Sequence, residues 1–137
     1  MKYNLSLLKN KKIQFQISEN GKELKFSNVV KDIKQVKNYI VFIFNECKFE
    51  IHMDIFINML VREENDTIIL KQDNKKEFLS SFIGFTMFDT YGFPIELTQE
   101  FFEDSGFTKN IDIEGFNILR KLQKEKSNGT FKNKNAF

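Results

Sequence analysis

The side chains that most often carry catalysis or bind metals are scarce in this chain, which has one histidine, His52, and one cysteine, Cys47. A catalytic triad or dyad would need His52, but this residue lies in an alternating, strand-like segment, where a packed or surface imidazole is expected. One histidine and one cysteine make no zinc site without a spaced carboxylate cluster, and none accompanies them. The six glycines stand too far apart for a phosphate-binding loop. We therefore expect no autonomous enzyme, no cofactor and no metal.

Lysines near the C-terminus are the side chains best suited to an anionic partner. The net charge is only +2, so no global basic field indicates nucleic acid. The charges are unevenly placed: residues 76–108 hold one basic and six acidic side chains, whereas residues 109–137 hold seven basic and three acidic ones. Such a basic segment could contact phosphates, although a charge run is more often a solvated surface.

The same composition bears on the compartment. A single cysteine excludes an internal disulfide. The longest apolar run, residues 39–44, is too short to span a membrane, and no signal-peptide pattern is present. We therefore expect a reducing, cytoplasmic setting and no membrane partner.

Two periodicities divide the chain near residue 73. In residues 1–73, polar and apolar side chains alternate on both sides of Glu19-Asn20-Gly21, which suits a tight hairpin turn. Residues 39–44 are β-branched or aromatic throughout, and alternation resumes after Asn45-Glu46. These patterns predict two hairpins, with a further strand at residues 67–70, in one small antiparallel sheet. Residues 54–62 remain ambiguous between strand and helix.

Residues 74–137 switch to helical spacing. The spacing predicts a helix near residues 77–88, a second after Pro94, whose ring suits a first turn, and a third that starts at the N-cap Asp112. Gly106 would end the second helix in a left-handed conformation, and Phe116 would lie on the apolar side of the third. The expected fold class is α+β: an N-terminal antiparallel sheet followed by three helices, packed as two small domains, 1–73 and 74–137, or as one joint core.

A recognisable pattern lies in residues 85–98, which read Phe-Thr-Met-Phe-Asp-Thr-Tyr-Gly-Phe-Pro-Ile-Glu-Leu-Thr. The pattern resembles the alanyl-tRNA synthetase signature L-Y-D-T-Y-G-F-P-x-D-L-T, with Phe88 and Glu96 as mild departures. Later features keep the family's order, namely Ser105-Gly106, then residues 111–116 for V-D-x-x-G-F, a basic helix end at residues 123–126, and residues 135–137. Four features in register make the resemblance specific, over about residues 76–137.

In that family the corresponding region belongs to the helical tRNA-recognition domain, which reads a G·U wobble pair in the acceptor stem of tRNA-Ala. The resemblance implies that Asp89 is a base-edge acceptor, since a carboxylate can accept from the exocyclic amino group at a guanine minor-groove edge. It also implies a partner asparagine from an upstream segment, for which we find no match. The side chains that would meet phosphates are Lys121, Lys124, Lys126, Lys132 and Lys134.

A structural role suits the motif residues about equally well. Gly92 permits a positive φ, and Tyr91 and Phe93 could wedge two helices together. Either Asp89 or Thr90 could cap the second helix. The residues assigned to structure are Thr90, Tyr91, Gly92, Phe93, Pro94, Gly106, Asp112, Gly115 and Phe116.

The motifs with which class II synthetases bind ATP and form the adenylate are absent from the sequence, as is a histidine- and cysteine-rich editing site. We therefore expect a non-catalytic relative. Three functions stay open: a tRNA acceptor-stem binder or accessory protein, a protein-interaction or regulatory scaffold that keeps the motif for its structure, and a subunit of a split synthetase. A contiguous patch of exposed phenylalanines, in contrast to a basic groove, would favour the scaffold and a protein partner.

Overall fold

The computed structural model describes the chain except Asn20, Ala136 and Phe137, and it describes the backbone alone at Glu19 and at residues 128–135. The helices, after a single 3-10 turn at Ser6–Leu8, are α1 (Met53–Phe56), α2 (Ser81–Tyr91), α3 (Ile95–Asp104) and α4 (Ile113–Asn135). The strands are β1 (Lys12–Glu19), β2 (Lys22–Val29), β3 (Asp32–Val36), β4 (Tyr39–Ile43), β5 (Lys48–His52), β6 (Met59–Glu64), β7 (Thr67–Gln72), β8 (Phe78–Leu79) and β9 (Asn110–Ile111). The predicted α+β class is confirmed.

Both predicted hairpins form, as the antiparallel pairs β1–β2 and β4–β5. The strands do not make one antiparallel sheet, however. The strands of residues 1–73 make a four-stranded sheet in the order β2-β1-β7-β6 and a three-stranded sheet in the order β3-β4-β5, and β1 pairs with β7 in parallel. Strands β8 and β9 form a separate parallel pair. A hairpin turn dictates the direction of its own two strands, but β1 and β7 are separated by the whole second sheet, so local sequence does not set their direction.

Two further segments differ from the expectation or complete it. Residues 54–62, ambiguous from their pattern, divide between α1 and β6. The third predicted helix, which starts after Asp112, continues as α4 to Asn135.

Phenylalanine fills the core. The fully buried ring of Phe15 lies 4.9 Å from Phe42 and 4.8 Å from Phe49, measured between ring centroids, so the two sheets face each other across aromatic contacts. The same buried cluster continues into Phe82 of α2 and Phe116 of α4. Buried residues from both sides of residue 73 therefore belong to one cluster.

A buried charge joins the sheet to the start of α4. Asp112 is 2% exposed, and both of its carboxylate oxygens accept from Arg62 Nη1 at 2.9 Å. Oδ2 also accepts the Val61 N–H at 3.1 Å, and Oδ1 accepts the Gly115 N–H at 3.2 Å, which is the N-cap contact expected of Asp112. A Cβ at Gly115 would collide with this carboxylate and with the Ser81 hydroxyl, so only glycine fits there.

The predictions for the residues around α3 are confirmed in part. Gly92 ends α2 with a φ of +72°, and Gly106 follows α3 with a φ of +89°, both in the left-handed region that favours glycine. Pro94 directly precedes α3 and fixes its start, but no side chain caps that helix, so the capping roles given to Asp89 and Thr90 are wrong.

The wedge assigned to the two aromatic residues is also wrong. Tyr91 and Phe93 are 62% and 42% exposed, and their rings contact each other, with centroids 6.3 Å apart, on the surface. The Gly92 turn directs both rings outward. Phe88 and Ile95 pack on the core from α2 and α3 in their place.

Within the described residues, no helix combines the length and the apolar character that a membrane crossing requires.

Replacing Asp112 by Ala should lower the free energy of unfolding by about 3 kcal/mol, because the Arg62 guanidinium and two backbone N–H groups lose their acceptor. Urea denaturation monitored by circular dichroism measures the change. Lys48→Ala is the matched control, since the Lys48–Glu50 ion pair is exposed, and its loss should cost less than about 1 kcal/mol. Equal stability of the two variants would contradict a central role for the buried pair.

Candidate nucleic-acid interface

Asp89 lies on the last turn of α2, exposed, where three parts of the chain meet. Its Oδ2 accepts from Asn4 Nδ2 at 2.5 Å, and its Oδ1 accepts from Gln123 Nε2 of α4. The carboxylate is therefore held between the side-chain amides of Asn4 and Gln123, an arrangement here called the clamp. Each carboxylate oxygen has two acceptor sites, so acceptor capacity remains for a further donor from outside.

Further hydrogen bonds and a ring contact hold the N-terminal segment, at Tyr3 and Asn4, against the rest of the fold. The Asn4 N–H donates to Thr86 Oγ1 at 3.1 Å, and its Nδ2 also donates to Thr90 Oγ1 at 3.1 Å. One residue earlier, the Tyr3 N–H donates to Gln35 Oε1 at 2.9 Å, and the Tyr3 ring packs edge-on against Phe56. Burial raises the pKa of the Tyr3 hydroxyl. These contacts fix Asn4 beside Asp89, although the two lie 85 residues apart in the chain.

Arg120 lies next to the clamp. Its guanidinium carbon stands 4.0 Å from the centroid of the Phe88 ring, a cation–π contact, and Phe88 in turn packs edge-on against Phe116. Arg120 Nε is buried with no hydrogen-bond partner among the described residues. The Phe88 ring thus orients a guanidinium whose donors no carboxylate in the described residues engages.

The predicted lysines are not equivalent. Lys121 donates to Glu63 Oε1 at 2.8 Å, and that contact raises the pKa of the Lys121 ammonium. Lys124 is exposed on the same strip of α4 as Asn117, Arg120, Lys121 and the acidic Glu125, and Lys126 is exposed two residues further along. The side chains of Lys132 and Lys134 lie outside the described residues.

The structure therefore places Asp89 in contact with α4 through Gln123, and Arg120, Lys121 and Lys124 share one strip of that helix. Sequence reasoning missed Asn4, for which no local signal exists. It noted Gln123 only as part of a basic helix end, and Arg120 only within the count of basic residues in 109–137. In the described part of the chain, no three histidine, cysteine, aspartate or glutamate side chains come together as metal ligands.

The C-terminal part of the chain is similar in sequence to known proteins. The sequence model of the family described as tRNA synthetases class II (A) matches residues 61–137. That span is more than half of the chain and begins earlier than the position near residue 76 at which the motifs first become visible. The chain therefore belongs to the alanyl-tRNA synthetase family of class II.

Individual relatives carry that name. The chain is 47% identical over 58 residues to the alanine–tRNA ligase of Lactococcus lactis subsp. lactis (strain IL1403), covering 42% of this chain and 6% of the relative. It is 42% identical over 74 residues to the alanine–tRNA ligase of Picosynechococcus sp., covering 53% of this chain and 8% of the relative. It is 48% identical over 58 residues to the alanine–tRNA ligase of Acholeplasma laidlawii, covering 42% of this chain and 7% of the relative. The match thus covers less than a tenth of each relative. No solved structure matches the chain significantly.

Asn4→Asp should detach the N-terminal segment from α2, because it places a second carboxylate against Asp89. Hydrogen exchange of the backbone amides at positions 3 and 4 should then become about tenfold faster. The double variant Asn4→Asp/Asp89→Asn should restore slow exchange, because an amide and a carboxylate again face each other.

Asn38→Asp, at an exposed turn between β3 and β4, is the control for an added charge. Unchanged exchange in Asn4→Asp, or no recovery in the double variant, would show that the clamp does not hold the segment.

Proposed function

We propose that this chain is a non-catalytic member of its family that binds a tRNA acceptor stem, with Asp89 at a base edge and α4 along the phosphates. The observation that carries the proposal is the exposed Asp89 carboxylate, held in place by the amides of Asn4 and Gln123. A carboxylate fixed before the ligand arrives loses little side-chain entropy on binding.

The chemistry of the acceptor stem suits this carboxylate. An A-form RNA helix presents a wide, shallow minor groove, which an exposed side chain such as that of Asp89 can reach. Guanine offers its exocyclic amino group there as a donor, and Asp89 is an acceptor. Asn4 supplies the asparagine that the family resemblance asks of an upstream segment, and it contacts the aspartate directly.

Phosphate contacts would come from α4. Arg120 presents a planar guanidinium that can bind a phosphate through two parallel hydrogen bonds, and Lys124 adds an exposed point charge on the same strip. Lys121 contributes less, because Glu63 already neutralises it. Lys126, Lys132 and Lys134 extend the basic series along the sequence.

The absence of synthesis and proofreading is part of this proposal. The chain matches less than a tenth of each alanine–tRNA ligase named above, and its single histidine and single cysteine cannot supply an editing site rich in both. The cytoplasmic location expected from the sequence belongs to the same proposal, since acceptor stems are met there.

Fluorescence anisotropy with three RNAs tests the recognition: tRNA-Ala, tRNA-Ala with its G·U pair changed to G·C, and an unrelated tRNA. We expect the G·U stem to bind best. Asp89→Ala should remove that preference, at a cost of roughly tenfold in affinity, because a base-edge contact is lost. Asp104→Ala, which removes an equal charge from α3, is the control and should not weaken binding.

Equal affinity for all three RNAs, steeply dependent on salt, would mean a generic basic surface. No binding at low salt would contradict the standalone tRNA function. Binding that appears only after a full-length alanyl-tRNA synthetase is added would identify the chain as an accessory subunit.

The salt dependence of tRNA binding should separate the two neighbouring lysines. Lys124→Ala should reduce the slope of log K against log salt by about one unit, as expected for one lost phosphate contact. Lys121→Ala should reduce it by clearly less, because this ammonium is paired with Glu63 in the free protein. Equal reductions would show that the Glu63 pair opens on binding.

A further inference from the structure

The outer side of α3 and the turn before it form an apolar groove, here called the α3 groove. Its apolar lining includes Phe93, Leu97 and Phe101, which are 42%, 48% and 64% exposed, together with Met1 and Met87. Leu97 and Phe101 are four residues apart and therefore share one face of the helix. Two exposed phenylalanines, Phe93 and Phe101, thus line one apolar groove, while the basic strip lies on α4.

Acidic side chains border the α3 groove. Glu100 and Asp104 line it, and α3 itself carries Glu96 and Glu103 and no lysine or arginine. An apolar surface with an acidic border repels nucleic acid and anionic lipid headgroups, and it attracts a partner that carries basic residues beside apolar ones. The acidic border of the groove therefore favours a protein partner with basic residues beside apolar ones.

The floor of the α3 groove contains a polar group without a partner. Thr98 is 2% exposed and lines the groove, and its Oγ1 has no hydrogen-bond partner among the described residues. Buried hydroxyls are normally hydrogen-bonded, and leaving one unpaired costs free energy. That cost is internal to the fold, because Oγ1 is buried beneath the surface of the groove and an occupant does not reach it.

We propose that the α3 groove binds an amphipathic helix of a partner protein, with its apolar side chains between Leu97 and Phe101 and its lysines or arginines against Glu100 and Asp104. This is the helix-in-groove mode, in which side chains at successive turns anchor a helix. The surface involves neither Asp89 nor the cations of α4, so the chain can hold a protein partner and an RNA on separate faces. The inference is independent of tRNA binding.

The probe is a fluorescein-labelled synthetic amphipathic helix of leucine, alanine and lysine, titrated with the full chain and followed by anisotropy. A matched helix with glutamate at every lysine position tests the role of charge. Leu97→Ser and Phe101→Ser should each weaken binding of the basic helix at least about tenfold. Leu24→Ser is the control, because Leu24 lies on β2 and is 48% exposed, like Leu97.

Charge reversal provides a second pair of variants. Glu100→Lys should weaken binding of the basic helix about tenfold and allow the acidic helix to bind. Glu46→Lys, at an exposed position between β4 and β5, is the control and should change the affinity for neither helix. Helix binding is measured in the absence of RNA, so that failure of this inference and failure of the tRNA proposal are distinguishable.

Three results would overturn the inference. Equal binding of basic and acidic helices would mean unspecific apolar contact. Absence of binding, or equal loss in Leu24→Ser and Leu97→Ser, would show that the groove is not the site. Concentration-dependent self-association of the wild-type chain in sedimentation, abolished by Phe101→Ser, would identify a second copy of the chain as the occupant.

Discussion

The buried carboxylate of Asp112 fixes the start of α4 against β6, and the rest of the candidate interface depends on that position. Burying a charge is costly, and the cost is offset here because Arg62 and two backbone N–H groups donate to it. Gln123 and Arg120 lie two to three turns further along the same helix, so a shift at Asp112 would move both of them away from α2. The glycine at position 115 serves the same contact, because a larger residue would push the carboxylate out of place.

The family motif at residues 85–98 has two different roles at neighbouring positions. Gly92 and Pro94 shape the backbone between α2 and α3, through a left-handed φ and a fixed helix start. Asp89 has no part in that turn, because its carboxylate faces Asn4 and Gln123. A structural turn and an exposed carboxylate are therefore compatible explanations of the same stretch. The charges also separate in space: α3 has an acidic border around an apolar groove, and α4 carries a basic strip.

Local patterns predicted the elements well and their assembly poorly. Alternation around Glu19-Asn20-Gly21 gave the first hairpin, and Asp112 and Gly106 marked helix ends, because such signals act between residues close in sequence. The single antiparallel sheet was wrong, since the parallel pairing of β1 with β7 joins strands that only the collapse of the core brings together. The aromatic wedge failed for a related reason: composition does not tell on which side of the Gly92 turn Tyr91 and Phe93 lie.

The sequence by itself determined the α+β class, the hairpins, the helix ends at Gly106 and Asp112, and the family pattern around Asp89, because each of these depends on short-range spacing or on residue identity. Only the tertiary structure decided that Asn4 lies against Asp89 from 85 residues away, that Lys121 is paired with Glu63, and that Arg120 stacks on Phe88. Those contacts follow from how α2, α4 and the N-terminal segment pack around one aromatic core. No spacing along the chain encodes a contact between side chains that only the packed core brings together.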